Sequence, residues 1–136
     1  TILVKELFAT SKEDRIHKSQ VVAKAYFLRG FAVSIVEENF SNIRVVCSQA
    51  ADEMLNITGV DASVTVYPIE NGWSYSARSL GKVNVQVLME NIGNKKDDGG
   101  GHLTMAGAQL YNISKEEAVQ KLEDAIESYY NNLPQE

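Results

Sequence analysis

Apolar and polar positions alternate along this chain with two different periods. From Ser11 to about Leu28, Ile16, Val22, Ala23 and Tyr26 recur near the helical repeat. Lys12, Glu13, Asp14, Arg15 and Lys18 take the wet side, which predicts a helix closed by Gly30. Phe31 to Val36 is a short β-rich run that reads as a buried strand. A second helix starts at Ser41 or Asn42 and closes at Gly59. In it Ile43, Val46, Cys47, Ala50, Ala51, Met54 and Leu55 fall at i, +3, +4, +7, +8, +11 and +12, one apolar stripe.

Ala62–Ile69 and Trp73–Ser79 then read as a hairpin about the turn Asn71-Gly72. That turn pairs Glu70 with Trp73 and Thr65 with Arg78. Strand alternation puts Ser74, Ser76 and Arg78 on one face and Trp73, Tyr75 and Ala77 on the other. Val85, Leu88, Met89 and Ile92 predict a helix ending at Gly93. A polar loop follows, Asn94 to Asp98 and then Gly99-Gly100-Gly101-His102. Met105–Leu110 reads as a strand. Ser114 and Glu117 form a capping box for a last helix that turns Ala118, Leu122, Ala125, Ile126 and Tyr129 inward and frays at Asn131, Asn132 and Pro134. The order α-β-α-β-β-α-β-α predicts an α/β fold, a mixed β-sheet packed with helices.

Composition narrows the function classes. With 136 residues, the chain has room for one core. Its 18 acidic and 13 basic residues give a formal charge of −5, which excludes a bulk basic surface for duplex DNA and leaves room for a local phosphate contact. A lone cysteine, Cys47, permits no internal disulfide, and it lies on an apolar helix face as a small buried hydrophobe. No apolar run has the length of a membrane span, and no secretion signal precedes the first helix. These features fit a reducing, cytoplasmic setting. The apolar start at Ile2, Leu3, Val4, Leu7 and Phe8 fits a chain that continues upstream.

The candidate chemistry is sparse. Gly99, Gly100 and Gly101 carry no Cβ, so their amides can approach an anion, with His102 directly behind to donate to phosphate or stack on a base. Taken alone, this is equally a plain loop. Arg78 offers a forked contact to phosphate, and by itself it is equally a surface arginine paired with a carboxylate. Asp97, Asp98 and His102 lack a further ligand for a metal, and His17 sits in a charged helix. Trp73, Tyr67 and Tyr75 read as core or rim. There is no Walker loop, no GxGxxG and no recognisable Ser/His/Asp set.

Several segments together carry a resemblance: Ser48 to Leu55, Ser76-Ala77-Arg78-Ser79-Leu80-Gly81, Val83-Asn84-Val85-Gln86, Gly99 to His102, and Ala106-Gly107-Ala108. In this order they resemble the DHH-associated C-terminal domain of DHH phosphoesterases, closest to the cyclic-di-AMP phosphodiesterase branch. The resemblance implies a helical segment over 1–30 leading from an upstream DHH domain, and a DHH-associated substrate-binding domain over 31–136. It implies that the DHH domain holds two manganese ions, Mn2+, where activated water attacks a phosphodiester, and that no cofactor belongs to the present chain. It matches Arg78, Gly99, Gly100, Gly101 and His102 to the substrate grip, with Ser76 and Ser79 flanking the arginine.

Three departures stand out. Five residues, Asn94 to Asp98, separate Gly93 from the glycine run; Met105 replaces a small or amide residue; and no Asp-His-His motif occurs in the sequence. The expected function is therefore the nucleotide-binding half of a manganese-dependent hydrolase, inactive on its own. Its partners would be a cyclic dinucleotide, a dinucleotide or a short single-stranded nucleic acid, together with the upstream DHH domain. This segment would make no membrane contact, although the parent of this branch is often tethered. The alternatives are a non-catalytic nucleotide-binding or nucleic-acid-binding module, and a structural or dimerising α/β domain.

Overall fold

The computed structural model describes residues 11–93 and 99–133. The expected Asn94–Asp98 loop and the fraying at Pro134 lie outside the described residues. Ten elements follow in order: α1 (Lys12–Ala23), β1 (Tyr26–Leu28), β2 (Phe31–Ile35), α2 (Ile43–Met54), β3 (Ala62–Ile69), β4 (Gly72–Ser79), α3 (Val85–Ile92), β5 (Gly99–His102), β6 (Met105–Tyr111) and α4 (Lys115–Asn131). The strands form one six-stranded sheet in the order β1-β2-β3-β4-β6-β5. Only β2 and β3 run parallel, joined through α2; every other pair is antiparallel. This is the mixed α/β sheet expected from the element order.

Four local readings are corrected. The first helix ends at Ala23, not Leu28, and Tyr26–Leu28 turns back on β2 as a strand. Arg29 and Gly30, at φ 56° and 89°, make a two-residue turn with both residues left-handed, the type that suits a hairpin. Gly30 therefore serves a hairpin and caps no helix. In α1 it is Val21 that is buried, while Ile16 stays 48% exposed.

The second helix stops at Met54 rather than Gly59. The β3–β4 register differs by two residues from the expectation: Ile69 pairs with Gly72 and Thr65 with Ser76, so the loop is Glu70-Asn71. Asn71 supplies the left-handed residue at φ 63°, and Gly72 is drawn into the strand beside Leu110 O of β6, where a Cβ would collide. A shift of two preserves the strand period, so each side chain keeps its expected face. Finally, Gly99–His102 is a strand paired with β6, not a loop.

The two faces of the sheet differ. On the apolar face, Phe31, Val33, Val64, Val66, Tyr75, Ala77, Ala106 and Ala108 pack with Leu88 and Met89 of α3 and Leu122 and Ile126 of α4. The Tyr75 hydroxyl reaches through this layer and donates to Ala118 O at 2.6 Å. α4 begins at the capping box expected from its sequence, with Ser114 and Glu117 reciprocally bonded.

The opposite face is polar yet buried under α1 and α2. Ser34 Oγ donates to Val21 O at 2.6 Å, Ser63 Oγ to Ala51 O at 2.6 Å and Thr65 Oγ1 to Cys47 O at 3.1 Å. Two of these acceptors sit in final helical turns. The amides of Ala25 and Leu55, four residues on, turn instead to Val22 O and Asp52 O, so Ser34 and Ser63 satisfy carbonyls the helices leave over. α2 carries the predicted stripe: Val46, Cys47, Ala50, Ala51 and Met54 are buried. Burial pushes the Cys47 thiol up to about 12, so it is a neutral hydrophobe.

Candidate functional site

Cross-strand partners share a face, so the register alone places the expected residues. Arg78 of β4 pairs with Met105 of β6, which pairs with His102 of β5, forming one row across the sheet. The next row holds Ser76, Gly107 and Gly100, and Ser74 and Gln109 lie beyond it. This is the polar face, and α2 reaches it at Arg78 and Ser76 through Asp52 and Ser48. α2 packs on β3 and β4, while Met105, Gln109 and His102 stand exposed. The spacing of strands puts the backbones of Arg78 and His102 about 10 Å apart.

The structure thus brings together Arg78, Ser76, Gly100 and His102. Gly99 and Gly101 pair with Ala108 and Ala106 and so belong to the other face, while their backbones still continue the outer strand. Ser79 also lies on the other face, paired with Ala62. Its hydroxyl is occupied in the turn, donating to Val83 O at 2.7 Å and accepting from Gly81 N at 2.9 Å. The segment expected to form an anion-holding glycine turn is instead a strand paired with β6.

Arg78 is held from two sides. Its side chain is only 12% exposed; Nε donates to Asp52 Oδ1 at 3.0 Å and Nη1 to Ala77 O at 2.9 Å. Five N–H groups radiate from a guanidinium, so among the described residues these two bonds leave three unclaimed. Asp52 is itself 61% exposed, which makes the pair a weak contributor to stability and a strong constraint on direction. Ser48 Oγ lies 3.4 Å from Ser76 Oγ beside this pair.

Sequence reasoning did not single out Ser48 or Asp52 as site residues. Both sit one position past the buried Cys47 and Ala51, at i and i+4, on the edge of the apolar stripe of α2 that meets β4. That offset was the available signal. His17 lies apart from the site: its ring stacks on Phe40 at 4.0 Å. Among the described residues no three His, Cys, Asp or Glu side chains gather into a metal-holding group. Among them, too, no helix is long and apolar enough to cross a membrane.

A strand-paired glycine run, an arginine fixed by α2 and a histidine in the same row match the segments on which the resemblance rests. A profile of the DHHA1 domain matches residues 29–132, most of the chain. The chain belongs to the DHHA1 domain family. It is 39% identical over 132 residues to cyclic-di-AMP phosphodiesterase GdpP of Geobacillus thermodenitrificans, covering 96% of this chain and 19% of that protein. It is 37% identical over 133 residues to cyclic-di-AMP phosphodiesterase PdeA of Listeria monocytogenes, covering 96% of this chain and 19% of the relative. This DHHA1 chain therefore spans about a fifth of the length of these curated relatives. An exopolyphosphatase-related protein from Bacteroides fragilis shares its fold, with a TM-score of 0.76 and 23% identity over 93% of this chain and 38% of that one.

Proposed function

We propose that this DHHA1 domain is the substrate grip of a phosphodiesterase that hydrolyses cyclic-di-AMP or a related short dinucleotide. The observation that carries the reading is the single row that sets Arg78, held by Asp52 of α2, in line with the exposed Met105 and His102 on the polar face. Arg78 presents its free N–H groups as a charge-assisted fork for a phosphate oxygen. His102, two strands away, donates to a second phosphate or packs on a sugar or base. The separation of about 10 Å suits a ligand with two anionic groups rather than one. Met105 stands between them in the row, Gly100 belongs to the neighbouring row, and Ser76 adds a hydroxyl beside the arginine.

The hydrolytic step is assigned to an upstream DHH domain, where manganese would supply the activated water. Every residue of the present chain is assigned to binding and orientation, so on its own it hydrolyses nothing. The lone buried thiol fits work in the reducing cytoplasm. The test is calorimetric titration of this chain with cyclic-di-AMP, with Arg78→Ala and His102→Ala alongside. Weak binding by the unaltered chain, reduced in both variants, supports the reading. Unchanged affinity in both variants overturns it.

A further inference from the structure

We propose that Met105 is the nucleobase-contacting and specificity-determining residue of this site, giving preference to ligands that carry an aromatic base. The inference rests on the reading above and adds to it the class of group that lies between the two polar anchors.

β6 alternates cleanly. Ala106 and Ala108 are buried in the apolar core, and Met105, Gly107 and Gln109 occupy the open face. Met105 is 50% exposed, with Arg78 as its cross-strand partner on one side and His102 on the other. A thioether in that position contributes nothing to an anion. A bare polyphosphate crossing from Arg78 to His102 would pass over an apolar side chain that offers it no donor. A ligand that gains from Met105 carries an apolar, polarisable section between its charged groups.

The neighbouring row supplies the space. Gly107 and Gly100 are cross-strand partners and neither has a Cβ, so on β6 and β5 the row beside Met105 adds no side chain. Four residues along the strand carry the chain from Met105 to Gln109, about 13 Å at the rise of a pleated strand. This side-chain-free shelf is wide enough for a flat purine, with sulfur at one edge and the Gln109 amide at the other. Sulfur–aromatic contacts of this kind are favourable at about 5 Å. An exposed methionine alone would need no explanation. One set between two candidate anion ligands and beside a paired-glycine shelf forms part of a built surface.

The test compares two probes on this chain, cyclic-di-AMP and an abasic dinucleotide bearing the same number of phosphates. Met105→Ala is expected to weaken cyclic-di-AMP about three- to tenfold and to leave the abasic probe unchanged, with Met105→Leu recovering part of the loss. Arg78→Ala is expected to weaken both probes. A 13C-methyl signal from Met105 shifts under the ring current when cyclic-di-AMP is added and stays in place with the abasic probe. If Met105→Ala weakens both probes equally or neither, while Arg78→Ala still weakens both, the role of Met105 is overturned and the grip survives. If Arg78→Ala affects neither probe, or the unaltered chain binds neither, the grip itself is overturned and Met105 with it.

Discussion

One face of the sheet is closed by shape and the other by hydroxyl groups. Over the apolar face, Leu122, Ile126, Leu88 and Met89 interlock with Val64, Val66 and Tyr75 in a single continuous core. On the polar face, Ser34, Ser63 and Thr65 are fully buried yet each donates to a helix carbonyl, and the apolar clusters around them are small. The first face holds the domain together, and the second orients what stands at its open end. A protein can thus leave Met105 and Gln109 of β6 exposed on one side because the other side carries most of the burial.

Variants on the two faces should separate these roles. The largest effect on folding is expected from Leu122→Ala, about 2–5 kcal/mol lost in denaturant unfolding, because a fully buried leucine leaves a cavity in the apolar core. Any nucleotide affinity should survive it wherever the protein remains folded. Arg78→Ala should do the reverse, with about 1.5–3 kcal/mol lost from nucleotide binding in calorimetry and a smaller change in unfolding than Leu122→Ala. A loss of stability equal to that of Leu122→Ala would erase the distinction between the faces.

Ser63→Ala should cost about 1–2 kcal/mol by stranding Ala51 O, and it should also weaken nucleotide binding, since Asp52 follows Ala51 directly. Asp52→Asn should change unfolding by about 0–1 kcal/mol, the range of an exposed ion pair, while lowering affinity more than that.

The smallest effect at neutral pH belongs to Cys47. Its thiol, pushed from 9.0 to about 12 by burial, should resist alkylation at pH 8 in the folded chain and react only on unfolding. The folded value lies above the unfolded one. Its contribution is therefore complete below pH 9 and is lost as the pH rises toward 12, which alkaline unfolding of Cys47→Ala would show as a shallower decline.

Much of the fold was legible because its signals are local. The stripe from Ile43 to Leu55, the Ser114–Glu117 box and the alternation along β4 depend on neighbours within a few residues. What was misread depends on distant partners. Gly30 ends a helix or turns a hairpin equally well, and the β2 strand beside it decides. The glycine run favours a loop by itself and becomes a strand because Ala106, Gly107 and Ala108 pair with it. The hairpin loop moved to Glu70-Asn71 because β6 presses on Gly72, a contact 38 residues further along.

For the candidate site, alternation was enough to set Arg78 beside Ser76. The same rule places Ser79 on the other face, so its exclusion was available in the sequence. Asp52 was not, because its role needs α2 laid against β4 at one particular rotation.

That rotation is where the buried hydroxyls have their widest consequence. Apolar attraction has no direction of its own, so it fixes a helix against roll or slide less sharply than aimed hydrogen bonds do. Carbonyls met one by one do not tolerate it: Thr65 fixes Cys47, Ser63 fixes Ala51, and the helix is left with a single angular setting. Ser48 and Asp52, each the next residue along, inherit that setting without touching the serine or threonine that imposes it. The aim of the guanidinium is in this sense decided one strand away, by two hydroxyl groups no ligand would ever meet.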